Sequence, residues 1–156
     1  MFCLFDQIYI CAINEIENFN FAIFSYVINC SVQLNNFLTY QNVINTNFNK
    51  PLYLMINDII NLLDFIYNCY VSGFKIILVD ETGIDNSMFI GIMFLMKLHN
   101  KNFDTIYSSI TMCKNINPKE YYISISSIEY YLLNNISNNF QSTSNNIFNL
   151  QYKNNI

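Results

Sequence analysis

The spacing of hydrophobic and polar positions changes along this chain, and each change predicts an element. Gln7 to Ile13 (QIYICAI) is rich in β-branched and aromatic residues and suits a first strand. Ala22 to Val32 (AIFSYVINCSV) suits a second, with Glu15-Ile16-Glu17-Asn18 between them as a turn or short helix. Asn35-Asn36 marks a turn, and Phe37 to Ile44 reads as a further short strand or extended segment. Asn45 to Pro51 is polar and broken by proline, which makes it a surface loop.

From Leu52 to Tyr70 the period becomes helical. Met55, Ile59, Leu62, Leu63, Ile66 and Cys69/Tyr70 share one face, with Asn57, Asp58, Asn61, Asp64 and Asn68 opposite, and Gly73 is placed to end the helix. Asp58 and Asp64 read as a solvated face. Lys75 to Val79 (KIILV) is a short buried strand that stops at Asp80-Glu81-Thr82-Gly83-Ile84-Asp85-Asn86-Ser87. Met88 to His99 follows as a helix apolar almost all round, the pattern of a central helix behind a sheet. His99, near its end, reads as a surface or capping residue. Asn102 to Ile110 is a further helix, and Asn117-Pro118 would open a last one carrying Ile125, Ile128, Tyr131 and Leu132 on one face. From Asn134 the chain turns to Asn, Ser and Thr, a composition expected of a loosely docked or disordered tail.

Composition narrows the function classes. The 156 residues fit one domain, and 53% apolar against 12% charged residues describes a globular chain. A net charge of −4 argues against a nucleic-acid or anionic-membrane surface, since both need a basic footprint. All seven basic residues are lysines, so the chain holds no arginine, the planar fork best suited to gripping two phosphate oxygens at once. Cys3, Cys11, Cys30, Cys69 and Cys113 are scattered without metal-ligand spacing and read as reduced core residues of a cytoplasmic or nuclear protein. Met1 to Asp6 lacks the basic start of a signal peptide, and no apolar run reaches the roughly 18 residues of a membrane span.

Candidate chemistry concentrates between Asp80 and Ser87. A tight turn with a central glycine, leading from a buried strand into a helix, exposes several backbone N–H groups beside a helix N-terminus. That geometry makes a natural anion cradle. Here, however, the loop carries the carboxylates Asp80, Glu81 and Asp85 and no basic residue.

Lys75 to Ser87 resembles the signature of the dual-specificity protein phosphatases, in which a Val-rich strand is followed by His-Cys-x-x-Gly-x-x-Arg-Ser. Gly83 and Ser87 match that pattern, while Val79 stands at the His position, Asp80 at the nucleophilic Cys and Asn86 at the phosphate-binding Arg. Ile8-Tyr9-Ile10, Val27-Ile28-Asn29, Asp64-Phe65-Ile66, Phe94-Leu95-Met96-Lys97 and Ile116-Asn117-Pro118 are similar to further family features in order and spacing. The resemblance covers about residues 6 to 133. It implies a three-layer α/β/α domain with a central, mostly parallel sheet over residues 1–133, and leaves 134–156 as the tail. In the family the acid that protonates the leaving group lies in the loop here read as Asn45 to Pro51, which offers only Asn45, Asn47 and Asn49, and an amide cannot supply that proton.

The resemblance therefore implies a degenerate member with no catalytic residue, cofactor or metal, working by protein–protein binding in phosphosignalling as a scaffold, competitor or regulator. Its partner would be a protein such as a phosphoprotein or kinase. Two alternatives stay open at this point. One is an active phosphatase using Asp80, or a cysteine such as Cys30 or Cys69, as nucleophile. The other is a phosphopeptide-binding module.

Electrostatics weighs against both. A like-charge contact at about 4 Å costs on the order of 4 kcal/mol at an effective dielectric of about 20, and roughly double that for a dianion. The loop amides still need acceptors, so Asp80 or another loop carboxylate is expected to turn into the cradle. The competing expectations are that Asp85 or Ser87 merely caps the helix with Glu81 in solvent, or that Asp80, Glu81 and Asp85 bind a hard cation.

Overall fold

The computed structural model describes residues 1–18, 21–31, 42–46, 55–111 and 128–129. Among these residues five strands form one sheet: β1 (Phe2–Phe5), β2 (Ile8–Ala12), β3 (Tyr26–Asn29), β4 (Val43–Asn45) and β5 (Ile76–Asp80), in the order β1-β2-β5-β3-β4. Strand β5 lies in the middle, parallel to β2 on one side and β3 on the other, with Ile8 and Tyr26 both opposite Ile76. Strand β4 adds parallel to β3, and β1 adds antiparallel to β2. A mostly parallel central sheet is the architecture the sequence led one to expect. All five residues of β5 are buried, which is why Ile76 to Val79 reads as a continuous apolar run rather than an alternating one; the strand starts after the exposed Lys75 and takes in Asp80.

Alternation along the strands separates two cores. Ile8, Ile10, Ile28, Ile76 and Leu78 face α1 (Ile56–Val71), α2 (Asn86–His99) and α3 (Phe103–Thr111) in one cluster. Cys11, Val27, Ile77 and Val79 face the other way and are covered, among the described residues, by Phe24, Tyr9, Ile13 and Val43. Helix α2 is the hub, with every residue from Ser87 to Met96 buried. Phe89 and Phe94 are fully buried, and each contributes about 1.5 to 3 kcal/mol by leaving water.

Several expectations change in detail. The start of the chain is strand β1, joined to β2 through Asp6, whose φ of 46° lets the hairpin turn. Ala22 to Val32 contains a much shorter strand, because Phe21–Ile23 winds into a 3₁₀ turn that brings the Ser25 N–H to the Lys75 carbonyl at 2.8 Å. Glu15 to Asn18 lies in the 3₁₀ helix Ile13–Asn18. Asp58 is exposed, as a solvated face requires, but Asp64 pairs with Lys97 of α2. Cys3 is exposed on β1 rather than in the core, while Cys11, Cys30 and Cys69 are buried. His99 is exposed and meets the Phe5 ring edge-on at 5.1 Å.

Helix boundaries follow local chemistry. Gly73, at φ 81°, closes α1 by giving its N–H to Tyr70 O, while the Phe74 N–H reaches Cys69 O, both at 3.0 Å. Asn102 caps α3 through Oδ1, which accepts the Thr105 N–H at 3.0 Å. Ile128 is fully buried, and Glu129 Oε1 accepts the Phe103 N–H at 3.1 Å, so the chain returns to cap α3 a second time. The expectations for 32–41, 47–54, 112–127 and 130–156 lie outside the described residues. These include the proline-broken loop beyond Thr46, the helix opened by Asn117-Pro118 and the tail.

Candidate functional site

The loop from Asp80 to Ser87 joins the C-terminal end of the central strand to the hub helix, the place where an open parallel sheet presents its crevice. Asp80 is completely buried and its carboxylate lies inside the loop. Its Oδ1 accepts the backbone N–H groups of Thr82, at 3.1 Å, and of Gly83. Its Oδ2 accepts the Ser87 N–H at 2.7 Å. Three donors that would otherwise need an anion are thus satisfied by a side chain of the same loop, the arrangement the acceptor argument led one to expect.

The other loop residues are fixed around this carboxylate. Gly83 has φ 74°, and a Cβ there would lie 2.8 Å from Ala12 N, so only glycine lets the turn rest on the end of β2. Asp85 occupies the N-cap position of α2 but makes no side-chain cap bond; its Oδ2 accepts the Thr82 hydroxyl at 2.7 Å. Glu81 is half-buried rather than solvent-exposed, with Oε1 accepting the Ser31 hydroxyl at 2.5 Å. Asn86 donates from Nδ2 to the Cys30 carbonyl at 3.1 Å. Ser87 is buried, and its hydroxyl has no hydrogen-bond partner among the described residues. Thr82, Ile84 and Asp85 are what the loop turns outward.

Sequence reasoning named Asn29 and Asn45 but missed that they meet at the ends of β3 and β4, where Asn45 closes a strand rather than opening the polar loop. Asn29 is almost fully buried and donates from Nδ2 to Asn45 Oδ1 at 3.0 Å, while its own Oδ1 accepts the Ser31 N–H at 3.0 Å. Thr46 donates its hydroxyl to Asn29 O at 2.7 Å. The signal was a buried-strand pattern ending in polar residues, Val27-Ile28-Asn29-Cys30-Ser31, at the sheet end that also carries the loop.

Cys30 sits beneath the loop with no exposed surface. Burial first, then the negative charge of Asp80, pushes its thiol far above the ordinary range, so it stays protonated. Cys11, beside Gly83 in a shallow cavity also lined by Phe2, Glu15 and Ile84, is pushed up to about 11 by burial and then by Glu15. The Met1 ammonium pulls the Cys11 thiol the other way without outweighing burial and Glu15, so the surroundings favour the thiol over the thiolate at both cysteines. Asp80, Glu81 and Asp85 do not converge on one point. Among the described residues, no group of three or more His, Cys, Asp or Glu side chains is placed to hold a metal ion.

No protein-family model and no curated protein matches the sequence. Solved structures do match. DUSP15 is similar over 90% of this chain and 96% of its own, with a TM-score of 0.69 and 13% identity. A leucine rich repeat and phosphatase domain containing protein from Entamoeba histolytica matches over 83% of this chain and 90% of its own, with a TM-score of 0.64 and 13% identity. Tk-PTP in its active form matches over 81% of this chain and 94% of its own, with a TM-score of 0.62 and 14% identity. With the five-stranded sheet, the hub helix and the strand-loop-helix turn, these likenesses give the chain the fold of the dual-specificity and tyrosine phosphatases.

Proposed function

We propose that this chain is a phosphatase-fold domain without phosphatase chemistry, and that it works by binding a protein partner in phosphosignalling as a scaffold, competitor or regulator. The observation that carries the reading is the Asp80 carboxylate, which takes the N–H groups of Thr82, Gly83 and Ser87. A phosphoryl group entering the loop would meet a buried negative charge and amides already engaged.

Among the described residues, none supplies a way around this obstacle. An aspartate attacking phosphorus needs a cation to offset the dianion, and the chain has no arginine in any position. Cys30 is enclosed and held as the thiol. Asn45 and Asn29, at the floor of the site, have amide side chains that cannot protonate a leaving oxygen.

The test is hydrolysis of an aryl phosphate and of a phosphotyrosine peptide by the full chain. No turnover above buffer is expected. Turnover that disappears in Asp80→Ala would overturn the reading and make Asp80 a nucleophile.

A further inference from the structure

We infer that Asp80 is a built-in ligand which holds the loop in its filled conformation with no anion bound, so that recognition through this face is insensitive to phosphate. The inference rests on the non-catalytic reading above and adds how the same site is regulated: the loop has one state, set by the chain itself.

Four bonds besides those of Asp80 bind the loop to itself or to its neighbours. Ser31 donates to Glu81, Asn86 donates to the Cys30 carbonyl, and Thr82 is joined to Asp85 through its hydroxyl and to Ile84 through the Ile84 N–H at 3.2 Å. Gly83 rests against Ala12 so closely that the turn has no room to move inward. A loop that waits for an anion keeps free backbone donors; this one has the N–H groups of Thr82, Gly83 and Ser87 matched before any ligand arrives. An external anion could enter only a loop from which the Asp80 carboxylate has been displaced, and because that carboxylate holds three amides the competent state is scarce and the apparent affinity for the anion falls with its population.

Amide hydrogen exchange of the full chain, with and without sulfate at matched ionic strength, tests this. The Thr82, Gly83 and Ser87 amides are expected to be protected about 100-fold or more without sulfate, and to change less than about twofold with it. In Asp80→Ala the same amides should lose protection and regain at least about tenfold in sulfate; Asp80→Asn, which keeps one acceptor oxygen, serves if the alanine variant does not fold. Unprotected loop amides in the unaltered chain, or protection that appears only with sulfate, would overturn the inference. So would a variant whose loop sulfate does not restore. Exchange reads the loop and hydrolysis reads the chemistry, so protected, sulfate-insensitive amides in a chain that turns over phosphate would overturn the non-catalytic reading and leave the filled loop standing.

Discussion

Asp80 ends strand β5, and its Oδ2 accepts the N–H of Ser87, 2.7 Å away and seven residues further along the chain. A helix N-terminus is ordinarily capped by the residue just before it, and here Asp85 in that position makes no such bond. The central strand caps the central helix instead, so the loop between them is closed at both ends by one carboxylate.

Replacing that carboxylate should therefore cost more than a usual cap. Asp80→Ala leaves three buried or part-buried N–H donors without their acceptor, and a loss of about 2 to 4 kcal/mol is expected in urea unfolding. A loss below about 1 kcal/mol would mean that water replaces the carboxylate without cost.

Two glycines with similar backbones should separate in the same assay. Gly73 and Gly83 both have φ in the left-handed region, but a Cβ at Gly73 would meet nothing within 4 Å, whereas at Gly83 it would lie 2.8 Å from Ala12 N and 3.1 Å from Cys11 C. Gly73→Ala should cost about 1 kcal/mol for the conformation alone. Gly83→Ala should cost about 3 kcal/mol or more, because backbone on both sides must shift.

Much of this fold and part of its site were legible in the residues. KIILV followed by a glycine-centred turn and an all-round apolar helix places β5, the loop and α2 without a structure, and the need of loop amides for an acceptor points to a carboxylate. What escaped is non-local. Phe2 to Phe5 becomes a strand only by pairing with β2, and its four residues carry too little pattern to declare it. Glu81 turns inward because Ser31, fifty residues away, offers a hydroxyl. Asp64 keeps its partly solvated position but gains an ion pair because Lys97 of the next helix reaches it.

The Ser31–Glu81 contact ties the segment just after β3 to the loop and is measurable as a coupling. Ser31→Ala and Glu81→Gln should each destabilise by about 1 to 2 kcal/mol, and the double variant by less than their sum, with a coupling of about 1 kcal/mol. Additive losses would show that the two side chains act separately.

Buried thiols should make the fold sensitive to alkali. Burial raises Cys11 and Cys69 to about 11 in the folded chain. The folded state then keeps protons that the unfolded chain releases, so the stabilisation is whole below the unfolded value of about 8.5 and is lost as pH rises through the folded values, at up to about 1.4 kcal/mol per thiol per pH unit. Urea midpoints measured on either side of that window should fall with pH, and fall less in Cys11→Ala/Cys69→Ala. An unchanged slope in the variant would show that these thiols play no part.

Calorimetric titration of the full chain with orthovanadate tests the central claim most directly, because that anion seeks the same ring of loop donors a phosphoryl group would. With Asp80 in the cradle, the heats should match those of the chloride control. A saturable one-site isotherm would show that the loop still takes an external anion, and would contradict the account of Asp80 as its resident acceptor.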